Sequence, residues 1–72
     1  MKTVQVKLND PKDNYNGAVG IVVDELIVSG QMKFANVKNG VLVEVCFDDG
    51  EQFSVKRQNL ELVAEEDFNP IA

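Results

Sequence analysis

Apolar and polar residues alternate along most of this chain with a period of two, which is the pattern of β-strands that bury one face. The alternation predicts a first strand over residues 4–8 and the clearest strand over residues 41–47. A further strand is predicted over residues 52–56, after residues 48–50, whose types favour a tight hairpin turn. Residues 9–17 are rich in Asn, Asp, Pro and Gly and therefore predict a long loop.

The middle of the chain is less regular. Many β-branched residues between positions 18 and 28 predict one long bent strand, with a bulge permitted at Gly20 because glycine lacks a side chain. A short strand is predicted over residues 33–37. Asn39 and Gly40 then predict a type I′ hairpin turn, in which both central residues take positive φ.

The end of the chain predicts a short helical turn, a short strand and an acidic tail. Residues 57–59 predict one turn of 3-10 helix, residues 60–63 a last strand, and residues 65–72 a loose tail. Short strands with tight turns predict an all-β fold in a single domain over residues 1–64, either a small barrel or a sandwich. The predicted core consists of apolar residues on one face of each strand: Val4, Val6, Leu8, Val19, Ile21, Val41, Val43, Val45, Phe47, Phe53, Val55, Leu60 and Leu62.

Four segments resemble those of a known group of small barrels. VQVKL at 4–8 and GAVGIV at 17–22 resemble the opening of KOW-type and related SH3-like barrels. VLVEVCFDDGEQFSV at 41–55 resembles their central hairpin, and NLELV at 59–63 is similar to their closing strand. The resemblance implies a five-stranded SH3-like barrel. It implies no single function, because such barrels occur in ribosomal and transcription proteins, Tudor modules, photosynthetic accessory subunits and proteins carried on mobile gene cassettes.

The chain departs from the functional patterns of these barrels. KOW domains that bind RNA usually carry basic residues near the first loop, where this chain has Lys12 beside Asp10 and Asp13. Tudor domains need several converging aromatic residues, and peptide-binding SH3 domains use a tryptophan, which this chain lacks. The fold resemblance therefore assigns no function.

Charge further narrows the function classes. The 72 residues include 12 acidic and 7 basic ones, for a net charge of −5. Residues 61–72 contain four acidic residues and no basic one, so the rest of the chain carries −1. Phosphate binding needs a basic surface, so the net charge disfavours a nucleic-acid partner. Residues 1–60 are nearly neutral, so their charge is still compatible with a local basic patch.

Catalytic and metal-binding chemistry is not predicted. The chain has no histidine, which removes the commonest general base and metal ligand. Residues 48–51 carry three carboxylates but lack the spacing of an EF-hand loop, so they predict a solvated turn. The single cysteine, Cys46, cannot form an internal disulfide and is predicted to be inert. We expect no enzyme activity, no cofactor, no membrane span and a cytoplasmic location.

Two sets of apolar residues are candidates for contacting a partner. Tyr15 and Phe34 would form an exposed aromatic pair, unless Phe34 covers the end of the barrel and Tyr15 packs on it. Val22, Leu26 and Val28 would face outward if the odd-numbered residues of that strand face inward, whereas a bulge would bury them instead.

The leading prediction is a non-catalytic protein–protein interaction module that binds another protein or a second copy of itself. A small domain gains stability from such association. The alternative is a KOW-like nucleic-acid-binding accessory protein, which would require the basic residues to gather on one side: Lys2, Lys7, Lys12, Lys33, Lys38, Lys56 and Arg57.

Overall fold

The alternating segments form the strands of one antiparallel sheet in a computed structural model that describes residues 2–67. The strands are β1 (Lys2–Leu8), β2 (Val19–Val22), β3 (Leu42–Phe47), β4 (Gln52–Lys56) and β5 (Leu60–Asp67). A one-turn helix, α1 (Glu25–Val28), follows β2, and two 3-10 helices span Phe34–Asn36 and Arg57–Asn59. The predictions of five strands and of a 3-10 turn before the last strand are confirmed.

The strand order across the sheet is β4-β3-β2-β1-β5, so β4 and β5 form its two edges. Every neighbouring pair is antiparallel. Within residues 2–67 no ladder joins β4 to β5, so the sheet is open and the closure that defines a barrel is not observed.

The core lies on the inner face of the sheet, where α1 and the first 3-10 helix contribute residues to it. Its strand residues match the predicted alternation on β1, β3 and β4. The buried apolar residues are Val4, Val6, Leu8, Val22, Ile27, Phe34, Val37, Val43, Val45, Phe47, Val55 and Leu60.

The prediction for residues 18–28 is wrong in both phase and length. Val22 is buried, whereas Val19 and Val23 point outward and are each 37% exposed. Gly20 sets this phase, because a Cβ there would lie only 2.6 Å from Cγ1 of Val45. The inner position of β2 therefore has no room for a side chain at residue 20, and the next inner position falls at Val22.

The second half of the same segment forms α1 rather than a strand. The Asp24 carboxylate accepts a hydrogen bond from the backbone N–H of Leu26, which caps the first turn. Gly30 follows the helix with a φ of 84°, a conformation that glycine adopts without strain. These two capping signals outweigh the β propensity of the residues between them.

The segment between α1 and β3 also differs from the prediction. Residues 34–36 form a 3-10 helix rather than a strand. Gly40 has a φ of 91° but Asn39 does not have a positive φ, so the turn is not of type I′ and leads into β3 instead of joining a hairpin. Val41 lies outside β3 and is exposed, which corrects its assignment to the core.

Strand β5 continues past the predicted end of the domain. It runs to Asp67, and the Lys2 ammonium lies 2.8 Å from a carboxylate oxygen of Glu65. Residues 65–67 are therefore part of the sheet and not a loose tail, while residues 68–72 of that predicted tail lie outside the described residues. Leu62 is 41% exposed, so its assignment to the core is wrong.

Arg57 connects the second 3-10 helix to the core. Its guanidinium carbon lies 4.0 Å from the centroid of the buried Phe34 ring. The same side chain donates hydrogen bonds to the carbonyl oxygens of Phe34 at 3.3 Å and Leu60 at 3.1 Å. A fixed guanidinium above a ring and between two carbonyls ties three segments of the chain together.

Candidate interaction surface

The first loop packs against the β3–β4 hairpin through three aromatic rings. The Tyr15 ring centroid lies 5.0 Å from that of Phe47 and 5.1 Å from that of Phe53, and the Phe47 and Phe53 centroids are 5.0 Å apart. The loop presents Tyr15 because the Asp13 carboxylate accepts a hydrogen bond from its backbone N–H at 2.8 Å. These contacts hold the Tyr15 ring in place at the surface, where it is only partly buried.

A hydrogen bond fixes the far end of the same side chain. The Tyr15 hydroxyl donates to the Asp49 carboxylate in the hairpin turn. This bond, together with desolvation and nearby carboxylates, raises the pKa of Tyr15 to about 12. The same bond lowers the pKa of Asp49, with help from the backbone N–H of Glu51. Both groups are therefore held in the protonation states that maintain the contact.

An open groove lies between the first loop and β4, and we call it the loop–β4 groove. A cavity of about 410 Å³ at one end is lined by Lys12, Asp13, Asn14, Tyr15 and Phe53. A second cavity of about 310 Å³ shares Asp13 and Phe53 and extends along β4 to Lys56. The groove therefore combines an aromatic wall, a carboxylate rim and a strand edge.

The outward edge of β4 presents unpaired backbone groups. The backbone of Glu51 accepts a hydrogen bond from Phe47 N–H at 2.9 Å, and that of Arg57 donates to Val41 at 2.9 Å. In an antiparallel ladder the residues that bond to one neighbour alternate with those that face away. The N–H and C=O groups of Gln52, Ser54 and Lys56 therefore face away from β3, and no group within residues 2–67 pairs with them.

The two edges of the sheet differ in how well they resist pairing. The ladder between β1 and β5 has a bulge after Gln5, and β5 carries four carboxylate residues. Bulges and repeated charges are devices that block edge-to-edge association. Strand β4 has neither device over its five residues, since Lys56 at its end is its single charged residue.

Polar side chains of β4 lie beside a carboxylate on the outer face. The Ser54 hydroxyl donates to one Glu44 oxygen at 2.6 Å, and the Gln52 amide donates to the other at 3.4 Å. The cross-strand pairing of Glu44 with Ser54 places this carboxylate one strand away from the edge. A cation on an added strand would find an acceptor there.

Charges are separated along the β3–β4 hairpin. The turn carries Asp48, Asp49 and Glu51. At the other end, Lys56 and Arg57 lie near Lys38, because Val41 bonds to both Lys38 and Arg57 through its backbone. The hairpin therefore has an acidic end at the turn and a basic end at its opening.

The seven basic residues do not gather on a single side. Lys2 pairs with Glu65, Lys7 lies opposite Glu61 on the β1–β5 ladder, and Lys12 belongs to the acidic first loop. The remaining four are brought towards the open end of the hairpin: Lys33, Lys38, Lys56 and Arg57.

The structure separates the residues that the sequence predicted as partner contacts. Phe34 is buried under Arg57 and Val22 is buried in the core, so neither side chain is available to a partner. Tyr15 packs on Phe47 and Phe53 instead of pairing with Phe34. Leu26 is 49% exposed and Val28 is half-buried.

Sequence reasoning missed the free edge of β4 and the outward face of β2. The edge could not be found from the sequence, because which strands are outermost depends on the strand order. The outward face of β2 carries Val19 and Ile21, with Val23 following, and Ile21 pairs across the sheet with the half-buried Cys46. Within the described part of the chain, no group of three or more His, Cys, Asp or Glu residues is placed to hold a metal ion.

No protein-family model matches the chain, and neither a curated protein nor a solved structure matches it. In the described residues, no helix has the length and apolar character needed to cross a membrane.

Proposed function

We propose that this chain is a non-catalytic protein-interaction module, which binds an extended segment of polypeptide along the free edge of β4. The observation that carries the proposal is the row of outward backbone groups at Gln52, Ser54 and Lys56, on an edge without the bulge and repeated charges of β5. Addition of a strand to such an edge is a common mode of peptide recognition.

Affinity would come from main-chain hydrogen bonds. An antiparallel strand would exchange two N–H···O bonds with each of the three outward residues, and each bond contributes about 0.5–1.5 kcal/mol. Specificity would come from alternate side chains. Those on the inner side would meet Phe53 and the loop–β4 groove, and those on the outer side would lie near Glu44.

We also infer that this chain has the SH3-like barrel fold, and we base this on the order of its strands. The support is the antiparallel order β4-β3-β2-β1-β5 and the 3-10 helix directly before β5. This inference bears on architecture and carries no function with it.

A displayed library of random nine-residue peptides, selected on the full chain, tests the proposed function. Peptides should be retained by the native chain and by Ser54→Ala, but lost by Ser54→Pro. Both variants lose the hydroxyl bond to Glu44. Proline alone removes the edge N–H, and that N–H makes no ladder bond to β3.

Two further measurements keep this test decisive. Circular dichroism determines whether Ser54→Pro is folded. Amide hydrogen exchange on the native chain with a selected peptide tests the same contact without the variant, so it applies even if Ser54→Pro does not fold. The exchange of Gln52, Ser54 and Lys56 should slow when the peptide binds. Retention by folded Ser54→Pro, unchanged exchange at these amides, or recovery of no binding peptide would each refute β4 addition.

A second candidate function is nucleic-acid binding at the open end of the hairpin. The observation that favours it is that backbone bonds bring Lys38 and Arg57 together through Val41 at the open end of the hairpin, beside Lys56, while Arg57 packs on Phe34, the residue after Lys33. Arg57 already contacts Phe34 and two carbonyls, so three lysines would carry most of the phosphate contacts. A mobility shift with single-stranded RNA at low salt should appear and should disappear in Lys38→Glu if this function is real.

A further inference from the structure

The β4 segment is complementary to itself when reversed about Ser54. Residues 51–57 read EQFSVKR, with an acid and an amide before the serine and two bases after it. Reversal pairs Glu51 with Arg57 and Gln52 with Lys56. A strand with this property can pair with a second copy of itself through a two-fold axis at its centre.

We propose that a second copy of this chain occupies the free edge of β4, in an antiparallel two-fold pairing centred on Ser54. This inference rests on the proposed function, because it names the polypeptide that adds to the edge. The two sheets would then join into one continuous sheet across β4 of both copies.

The backbone register fits this pairing. The outward N–H and C=O groups belong to residues 52, 54 and 56. A two-fold axis at Ser54 sets Ser54 opposite Ser54 and Gln52 opposite Lys56 of the other copy, so outward groups meet outward groups at all three positions. A register shifted by one residue would set outward groups against the inward groups that already bond to β3.

The side chains on the inner face also fit. Phe53 of one copy would lie opposite Val55 of the other, which is an aromatic–β-branched pair of the kind that stabilises neighbouring strands. The cavity of about 310 Å³ beside these residues leaves room for the added strand. Phe53 is half-buried in the single chain, so pairing would cover more of its ring.

Charge separation along the hairpin favours the antiparallel arrangement. The acidic turn of one copy would lie beside the basic open end of the other, with Glu51 at the register position of Arg57. Lys56 would lie opposite Gln52, whose amide contacts Glu44, so its ammonium would approach that carboxylate on the outer face. Pairing between two β5 edges would instead bring carboxylates together and would gain no such complementarity.

The size of the contact sets the expected strength. A five-residue strand buries less than the roughly 1,600 Å² of a standard stable interface. We therefore expect a weak dimer whose population rises with protein concentration. Charge pairs at the rim should make its dissociation constant increase with salt.

Sedimentation velocity tests the proposal with the 72-residue chain at about 10 µM to about 1 mM. The native chain and Ser54→Ala should shift from monomer to dimer with concentration. Ser54→Pro should remain monomeric. Glu51→Lys should raise the dissociation constant by about tenfold, because it places like charges together twice in a two-fold dimer. Glu66→Lys, which makes the same charge change on β5, should leave the dissociation constant unchanged.

The outcomes separate this inference from the proposed function. A native chain that stays monomeric throughout, or a dimer unaffected by Ser54→Pro and Glu51→Lys, would overturn the second copy as the occupant. If selected peptides still depend on the Ser54 N–H in that case, the proposed function stands with a different partner. If Ser54→Pro fails to fold, Glu51→Lys and Glu66→Lys still decide the question.

Discussion

The hydroxyl of Tyr15 donates a hydrogen bond to the carboxylate of Asp49, which joins the first loop to a hairpin turn 34 residues later in the chain. The Tyr15 ring also packs at an angle against Phe47 and edge-on against Phe53, so one side chain fixes both the loop and the wall of the loop–β4 groove. The contact depends on a neutral phenol and an ionised carboxylate.

This contact predicts a late titration of the single tyrosine. Its pKa is raised from 10.0 to about 12, chiefly by the bond to Asp49, so near-ultraviolet absorbance should show phenolate forming near pH 12. Asp49→Asn should move the midpoint back towards 10.0, the ordinary value. Glu66→Gln, which removes a carboxylate on distant β5, is the control and should not move it. A native midpoint near the ordinary value, with the chain still folded by circular dichroism, would contradict the contact.

The sign of the stability effect follows from the same pKa values. The folded-state pKa of Tyr15 is raised, so the stability it contributes is fully present below pH 10.0 and is lost as pH rises towards about 12. The pKa of Asp49 is lowered, so its contribution is present above its ordinary value of 3.8 and is lost as pH falls. Tyr15→Phe should remove the dependence at high pH and weaken the one at low pH, because the Glu51 N–H still bonds to Asp49; urea unfolding at several pH values would measure both.

Gly20 predicts a steric effect that a double mutant can isolate. A Cβ at this position would lie 2.6 Å from Cγ1 of Val45 and 2.9 Å from the carbonyl oxygen of Cys46. Gly20→Ala should therefore lower the free energy of unfolding by about 1–3 kcal/mol. Val45→Ala removes Cγ1 and with it the first of these contacts. In that background Gly20→Ala should therefore lower the free energy of unfolding by about 1 kcal/mol less than it does in the native chain. Additive losses, measured by urea unfolding, would show that Val45 does not restrict residue 20.

The phase of β2 shows where sequence reasoning reaches its limit. Alternation predicted β1, β3 and β4 because polar residues mark their outer faces. Residues 18–23 are all apolar or glycine, so no polar residue among them shows which face of β2 is exposed. The deciding fact is that Gly20 lies opposite Phe47, where a Cβ would meet Cγ1 of the diagonal neighbour Val45, and that contact depends on the register between β2 and β3.

The candidate site was harder to predict than the fold for a similar reason. Tyr15 is a contact candidate from the sequence because an aromatic residue in a polar loop stands out, but the sequence pairs it with Phe34 instead of Phe47 and Phe53. The β4 edge was not found, because the open side of a strand depends on which strands neighbour it. Helix α1 was missed although Asp24 and Gly30 signal its ends, since a single turn has too few residues to show helical periodicity.

The corrected phase of β2 predicts opposite outcomes for two adjacent valines. Val22 is 1% exposed, so Val22→Ala should leave a cavity and cost roughly 2 kcal/mol of unfolding free energy. Val23 is 37% exposed, so Val23→Ala should cost less than about 1 kcal/mol. The two substitutions are chemically identical, so thermal or urea unfolding compares position alone. A larger loss at Val23 would restore the original phase.

The end of β5 predicts how short the chain can become before it loses stability. Val4, Thr3 and Lys2 pair with Glu65, Glu66 and Asp67 respectively, and these pairs complete the β1–β5 ladder. A chain that ends at Ala64 loses all three pairs together with the ion pair between Lys2 and Glu65.

We expect the chain ending at Ala64 to lose more than about 2 kcal/mol of unfolding free energy relative to one ending at Asp67. Most of the loss should persist in high salt, because salt screens the ion pair but not the ladder hydrogen bonds. Urea unfolding of the two truncated chains at low and high salt measures both parts. Equal stability would mean that residues 65–67 behave as the tail that the sequence predicted, and that the folded unit ends at Ala64.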